Sequence, residues 1–136
     1  MALIFSEHFL DLMHYPNEVA RLLAEFFRVL EPGGRVRIVL QDGAALMQAY
    51  FDRDLRFCDG GEQSEHTMME TVNSLFRHNE SRHFLYDFET FEKLLRKSGF
   101  KKIQRCDHKQ SECFDILLDY EQPIRKIMSM YIEASK

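Results

Sequence analysis

Apolar residues recur along this chain in two alternating rhythms. Short apolar runs are separated by stretches in which apolar side chains return every three or four positions, and that alternation predicts an α/β sheet. Residues 2–5, Ala-Leu-Ile-Phe, leave no room for a helix before Ser6 and read as a buried strand. Val19, Leu22, Leu23, Phe26, Phe27 and Leu30 then repeat at helical spacing. They predict an amphipathic helix over 17–30, entered through Pro16 and with Glu18 placed to favour its dipole. Pro32-Gly33-Gly34 ends it, because proline cannot continue a helix and glycine permits positive φ.

The β-branched run at 35–41 predicts a second strand. Asp42 is an N-cap for a helix over 43–52, with Leu46, Met47 and Tyr50 as its inner face. Residues 53–62, with Asp59-Gly60-Gly61, read as a loop, and Met68, Met69, Val72, Leu75 and Phe76 predict a helix over about 64–77. Asp87 caps a helix over 87–98 that turns Phe88, Phe91, Leu94 and Leu95 inward, with Gly99 as its left-handed terminator. Residues 100–106 predict a third strand, and 127–134, alternating at Met128, Met130 and Ile132, a fourth. Residues 107–123 fit neither period.

Composition narrows the class. The 136 residues suit one domain spanning 1–136, and 45% hydrophobic content supports a real core. A net charge of -4 excludes nucleic-acid binding by bulk charge, and twelve Phe with five Tyr exclude a disordered acidic tail. No apolar run approaches the roughly 18 residues of a membrane helix. The segment before Leu10 has no basic residue and is interrupted by Glu7, so a signal peptide is not expected. Cys58, Cys106 and Cys113 form no CxxC pair, which points to reduced thiols and a cytoplasmic location. The histidine pairs His8/His14 and His78/His83 lack metal-ligand spacing, so no metal is expected.

The candidate chemistry lies after the strands. Ser6, Glu7 and His8 follow the first strand at its carboxyl end, where α/β folds place ligands, and Glu7 or His8 has the chemistry of a proton acceptor. Gln41 and Asp42 hold the same position after the second strand, with Asp42 first of all a helix cap. His14 and Tyr15 read as loop or capping residues, and the basic run over 93–109 as a solvated face.

The ordered phrases Ser6-Glu7-His8-Phe9-Leu10, Arg28-Val29-Leu30-Glu31-Pro32-Gly33-Gly34-Arg35, Gln41-Asp42, Arg82-His83-Phe84-Leu85-Tyr86-Asp87 and Tyr131-Ile132-Glu133-Ala134-Ser135-Lys136 resemble class I S-adenosylmethionine-dependent methyltransferases, in a bacterial branch of predicted enzymes. The resemblance covers essentially the whole chain. It implies a truncated, Rossmann-like half-domain beginning at the family's fourth strand, with a mostly parallel four-stranded sheet. The final strand is expected to insert antiparallel between the second and third. It further implies S-adenosylmethionine as cofactor, Ser6, Glu7, His8 and Phe9 as one wall of its pocket, and Gln41, Asp42, His83 and Tyr86 on the acceptor side. The acceptor itself and the catalytic base are left open.

Two departures accompany the match. The sequence contains no GxG, and Leu10-Asp11-Leu12 stands where the branch carries a Glu-His pair. Without the glycine turn that lets backbone approach a dinucleotide-like ligand, the chain alone is expected to bind the cofactor weakly or not at all. Two functions follow: a methyltransferase at family level, or an inactive half-domain that serves as a self-associating or partner-binding module. The uncharged strand at Ala2–Phe5 lacks a neighbour on one side, which favours a homodimer paired through that edge.

Overall fold

A computed structural model of the chain describes residues 1–78, 80–111, 113 and 119–136. Four strands, β1 (Leu3–Glu7), β2 (Arg35–Gln41), β3 (Lys101–Cys106) and β4 (Ser129–Ser135), form one sheet in the order β1-β2-β4-β3. β1 pairs parallel with β2, while β4 runs antiparallel to both β2 and β3. Three strands therefore share one direction, and the last strand of the chain is the antiparallel one inserted between the second and third, as the resemblance implies. The helices are α1 (Asn17–Val29), α2 (Gly43–Asp52), α3 (Met68–Arg77), α4 (Phe88–Lys97) and α5 (Pro123–Met128).

The period-two alternation of β2 and β4 divides the sheet into two unlike faces. Val36, Ile38 and Leu40 with Met130, Ile132 and Ala134 form the apolar face. Against it pack Val19 and Leu23 of α1 and Phe91, Leu94 and Leu95 of α4, all buried. At the Pro32-Gly33-Gly34 turn Gly33 has φ +79°, and a Cβ on Gly34 would lie 2.9 Å from the Glu31 carbonyl, so the turn needs both glycines for different reasons.

A second apolar cluster joins Leu46 and Ala49 of α2, Phe57, Cys58, Met68 of α3 and Met128 of α5. This cluster explains three differences from the sequence reading. Residues 127 and 128 end α5 and are not strand: Pro123 opens the helix, and Ile124, Ile127 and Met128 share one face that is buried by α2 and α3. On α2 the inner face is Leu46 and Ala49, whereas Met47 and Tyr50 are largely exposed. And α3 starts at Met68, where Thr67 and Glu70 close a capping box, with Thr67 Oγ1 accepting from the Glu70 N–H.

The predicted caps are present: Asp42 Oδ1 accepts from the Ala45 N–H at 3.1 Å, and Asp87 Oδ1 from that of Thr90 at 2.8 Å. Gly99 has φ +99° after α4. Among the described residues β1 pairs only with β2, so its other side is a sheet edge, and Leu3 is 45% exposed there. No helix among the described residues is long and apolar enough to cross a membrane.

Candidate functional site

β1 and β2 run parallel, so their carboxyl ends deliver Glu7-His8 and Gln41-Asp42 to the same end of the sheet. His8 has φ +46° and its N–H still donates to the Val39 carbonyl, so the chain turns sharply while remaining tied to β2. A 3-10 turn over Leu10–Leu12 then brings Asp11 back beside His8. Glu7 and His8 line a cleft of about 500 Å³ together with Leu75, His78, Arg82 and Arg125.

Beneath that cleft lies a buried polar cluster. Arg82 Nε donates to Asp11 Oδ2 at 2.7 Å, its Nη1 donates to Gln41 Oε1 at 2.6 Å and also to the Leu75 carbonyl. Asp11 is 1% exposed and Arg82 is also buried. His8 Nε2 is 3.0 Å from Ser129 Oγ, and its Nδ1 is 3.9 Å from Asp11 Oδ2. Burial alone would raise the Asp11 pKa, but His8 and Arg82 outweigh it and hold the carboxyl below its ordinary value. Glu7 Oε1 accepts from Arg125 at 3.1 Å across the cleft mouth. Three buried polar atoms here have no partner among the described residues: Ser6 Oγ, Asp11 Oδ1 and Gln41 Nε2.

Of the residues selected from sequence, Glu7 and His8 line the cleft and Gln41 joins it through Arg82. Ser6 and Glu7, expected after the first strand, are the last two residues of β1, and Ser6, paired with Ile38 of the apolar face, does not line the cleft. Phe9 is half exposed beside them. Asp42 is buried, caps α2 and pairs with Arg105, and it does not line the cleft. His83 is exposed; its N–H donates to the Asp11 carbonyl at 2.9 Å while its ring lies 4.0 Å from that of His14. Tyr86 is buried in an aromatic group with Tyr15, Phe84 and Phe91, and burial raises its pKa. His83 and Tyr86, expected on the acceptor side, do not line the cleft, whereas His78 does.

Four residues of the site escaped the sequence reading: Asp11, Arg82, Arg125 and Ser129. They come from three separated segments, around residues 11, 82 and 125–129, and none carried a local signal: Arg82 ends a polar run that begins at Arg77.

A second buried charge cluster occupies the polar sheet face. Arg37 of β2 is 1% exposed, donates to Asp119 at 2.9 and 2.5 Å and to Glu133 Oε1 at 2.8 Å, and reaches the carbonyls of Asp107 and Gln110. Arg37 and Glu133 are direct antiparallel partners. Burial, with Asp119 and Glu7 nearby, pushes the adjacent Tyr131 phenol up to about 12. Its charges engage one another and the backbone of the segment after β3, with Glu133 Oε2 left without a partner among the described residues. The part of the notionally irregular stretch 107–123 that is described therefore covers Arg37; residues 112 and 114–118 lie outside the described residues.

Comparison with known proteins rests on the fold. No protein-family model matches the sequence, and no curated protein matches it. Solved structures do. A protein of Bordetella parapertussis described as a possible exported protein superposes with a TM-score of 0.60 at 16% identity, covering 99% of this chain and 38% of its own. A SAM-dependent methyltransferase from Archaeoglobus fulgidus gives 0.56 at 13% identity, covering 100% and 59%. Phosphoethanolamine N-methyltransferase 2 of Haemonchus contortus, in complex with S-adenosyl-L-methionine, gives 0.55 at 15% identity, covering 100% and 33%. The fold is thus that of Rossmann-like methyltransferases, and the chain spans about one-third to three-fifths of the length of these structures.

Proposed function

We propose that this chain is the C-terminal, acceptor-side part of an S-adenosylmethionine-dependent methyltransferase and that the cleft beside Glu7 and His8 is its working surface. The observation that carries the reading is the sheet order β1-β2-β4-β3 with an antiparallel β4, together with a polar cleft at the carboxyl end of β1. In open α/β sheets ligands bind outside the carboxyl ends of the strands.

The residues present fit one side of the cofactor. S-adenosylmethionine carries a sulfonium cation, ribose hydroxyls and an adenine ring; when bound it supplies an electrophilic methyl group. Glu7 offers a carboxylate in the cleft and Phe9, two residues on, a half-exposed aromatic face, while the unpartnered Ser6 hydroxyl is buried beside Ile38 on the other side of β1. Gln41, held by Arg82, closes the floor on the acceptor side. The 136 residues hold no GxG turn for the opposite side. Each hydrogen bond not made forgoes roughly 0.5–1.5 kcal/mol, so this chain by itself binds the cofactor weakly. Three free thiols, one of them buried, suit a reducing cytoplasm.

Titration of the ¹⁵N-labelled chain with S-adenosylhomocysteine tests the reading. Amide shifts centred on Ser6–Phe9 at millimolar ligand are expected. An absence of shifts at saturating ligand would overturn the cofactor site, and shifts centred elsewhere would relocate it.

The open edge of β1 favours a second reading, in which the chain also serves as a self-associating module. An edge strand that carries no charge before Glu7 and exposes Leu3 is a template for pairing, and a two-fold axis lets the edge pair with itself.

A further inference from the structure

A second cavity, of about 490 Å³, lies beside the polar sheet face and shares no residue with the cleft. Its size is that of pockets that hold small organic ligands. Glu133 lines it, with Gln104, its direct partner across β3 and β4, and with Arg35, Lys102, Arg105 and Cys106. Arg105 is paired with Asp42, whereas Arg35 and Lys102 have no carboxylate partner among the described residues. β3 shifts register between Lys101 and Gln104, and Lys102 takes φ +46° there, an irregularity of the kind that re-aims a side chain.

Beneath these cations the charges do not balance. Buried Arg37 faces two carboxylates, Asp119 and Glu133, so the cluster carries one excess negative charge. Glu133 Oε1 accepts from Arg37, but the buried Oε2 has no donor among the described residues. A buried carboxylate oxygen without a donor is costly, and a ligand's N–H can remove that cost. The charge is felt within the cavity: burial first, and Glu133 second, push the Cys106 thiol up, which keeps it from being a ready nucleophile. Gln104 is exposed, and its side chain is held among the described residues only by a 3.7 Å contact to the Cys106 sulfur, so this side of the lining yields to an entering group.

We propose that this cavity binds a small zwitterion, an amino acid or related ammonium carboxylate, with the ammonium group on Glu133 Oε2 and the carboxylate between Arg35 and Lys102. Neither charge alone suits the site. A simple anion meets the Glu133 charge, and a simple amine meets Arg35 and Lys102. A molecule carrying both groups satisfies the orphaned acceptor and the two unpaired cations together. Arg35 supplies a planar pair of donors matched to a carboxylate, and Lys102 a point charge. The site does not depend on the methyltransferase reading, since none of its residues lines the cleft.

Amide spectra of the whole ¹⁵N-labelled chain test this with glycine, 4-aminobutyrate and 6-aminohexanoate, which space the two charges differently, and with butyrate and butylammonium, which carry one charge each. The best of the zwitterions is expected to shift the amides of residues 102–106 and 133–135 and to bind at least about tenfold more tightly than either singly charged probe. Glu133→Gln is expected to lower that zwitterion to the affinity of butyrate, and Arg35→Gln with Lys102→Gln to that of butylammonium. Should Glu133→Gln fail to fold, the Lys102→Gln variant at an exposed position and the probe comparison on the native chain keep the test valid. Butyrate binding as tightly as the best zwitterion would show a general attraction for anions and overturn the proposal. An absence of shifts at these amides with every zwitterion up to about 0.1 M would overturn it as well.

Discussion

Arg82 Nε and Asp11 Oδ2 lie 2.7 Å apart across 71 positions of sequence, both side chains at most 2% exposed. This one pair joins the turn after β1 to the segment that leads into α4, and through Gln41 it reaches the end of β2.

Replacing Arg82 by Met removes that link and leaves the Asp11 carboxylate buried without its cation. Breaking a buried pair from one side costs about 3–5 kcal/mol. Urea denaturation is expected to show a loss in that range, with an unchanged slope against denaturant. A loss below about 1 kcal/mol, the level of an exposed pair, would mean that the cluster is open to solvent.

Stability is expected to fall in acid. Asp11 and Asp87 both have folded-state pKa values below the ordinary 3.8. For Asp11 burial opposes the shift and His8 and Arg82 outweigh it; for Asp87 the hydrogen bonds from Thr90 dominate. A carboxyl with a depressed folded value contributes stability at pH above its unfolded value, and that contribution is lost as pH falls through the folded one. The denaturation midpoint is therefore expected to hold between about pH 7 and 5 and to drop below about pH 4. Asp87→Asn, which keeps the cap but does not titrate, is expected to leave stability near neutral pH within about 0.5 kcal/mol and make the acid decline shallower. An unaltered acid profile would remove Asp87 from the account.

Gly43 opens α2, where alanine ordinarily favours a helix by up to about 1 kcal/mol. Here a Cβ would lie 2.9 Å from Leu85 Cγ and 2.9 Å from the Tyr86 carbonyl, which accepts the Gly43 N–H. Gly43→Ala is expected to destabilise the chain by about 1–3 kcal/mol, measured by thermal or urea unfolding. A stabilised variant would show that the close approach of α2 to Leu85 relaxes without cost.

Self-association is expected to run through β1. Ile4 packs on the core whereas Leu3 is exposed, so Leu3→Lys charges the edge without emptying the core. Sedimentation velocity at micromolar concentration is expected to show a dimer for the native chain and a monomer near 16.2 kDa for the variant. A native monomer would remove the edge-pairing reading and leave the cleft argument untouched.

Local rules determined the elements with local causes. Proline and glycine ended α1, Asp42 and Asp87 capped α2 and α4, and helical spacing selected Val19, Leu23, Phe91, Leu94 and Leu95 as core, because each effect acts within a turn or two of chain. The order of phrases also carried the placement of β4 between β2 and β3 through the resemblance, and Ser6, Glu7 and His8 were marked by their position after a strand. Tertiary structure decided the rest. Residues 127 and 128 alternate like a strand but are wound into α5, since the space beneath α2 and α3 accepts Ile124, Ile127 and Met128 from one helical face. Arg37 looks like a surface cation in a β-branched run until Glu133 arrives opposite it in register and Asp119 closes over it. Asp11, Arg82 and Ser129 are unremarkable in sequence, because a buried charge is viable only where distant partners converge on it, and convergence across 71 and 121 positions is a property of the folded chain.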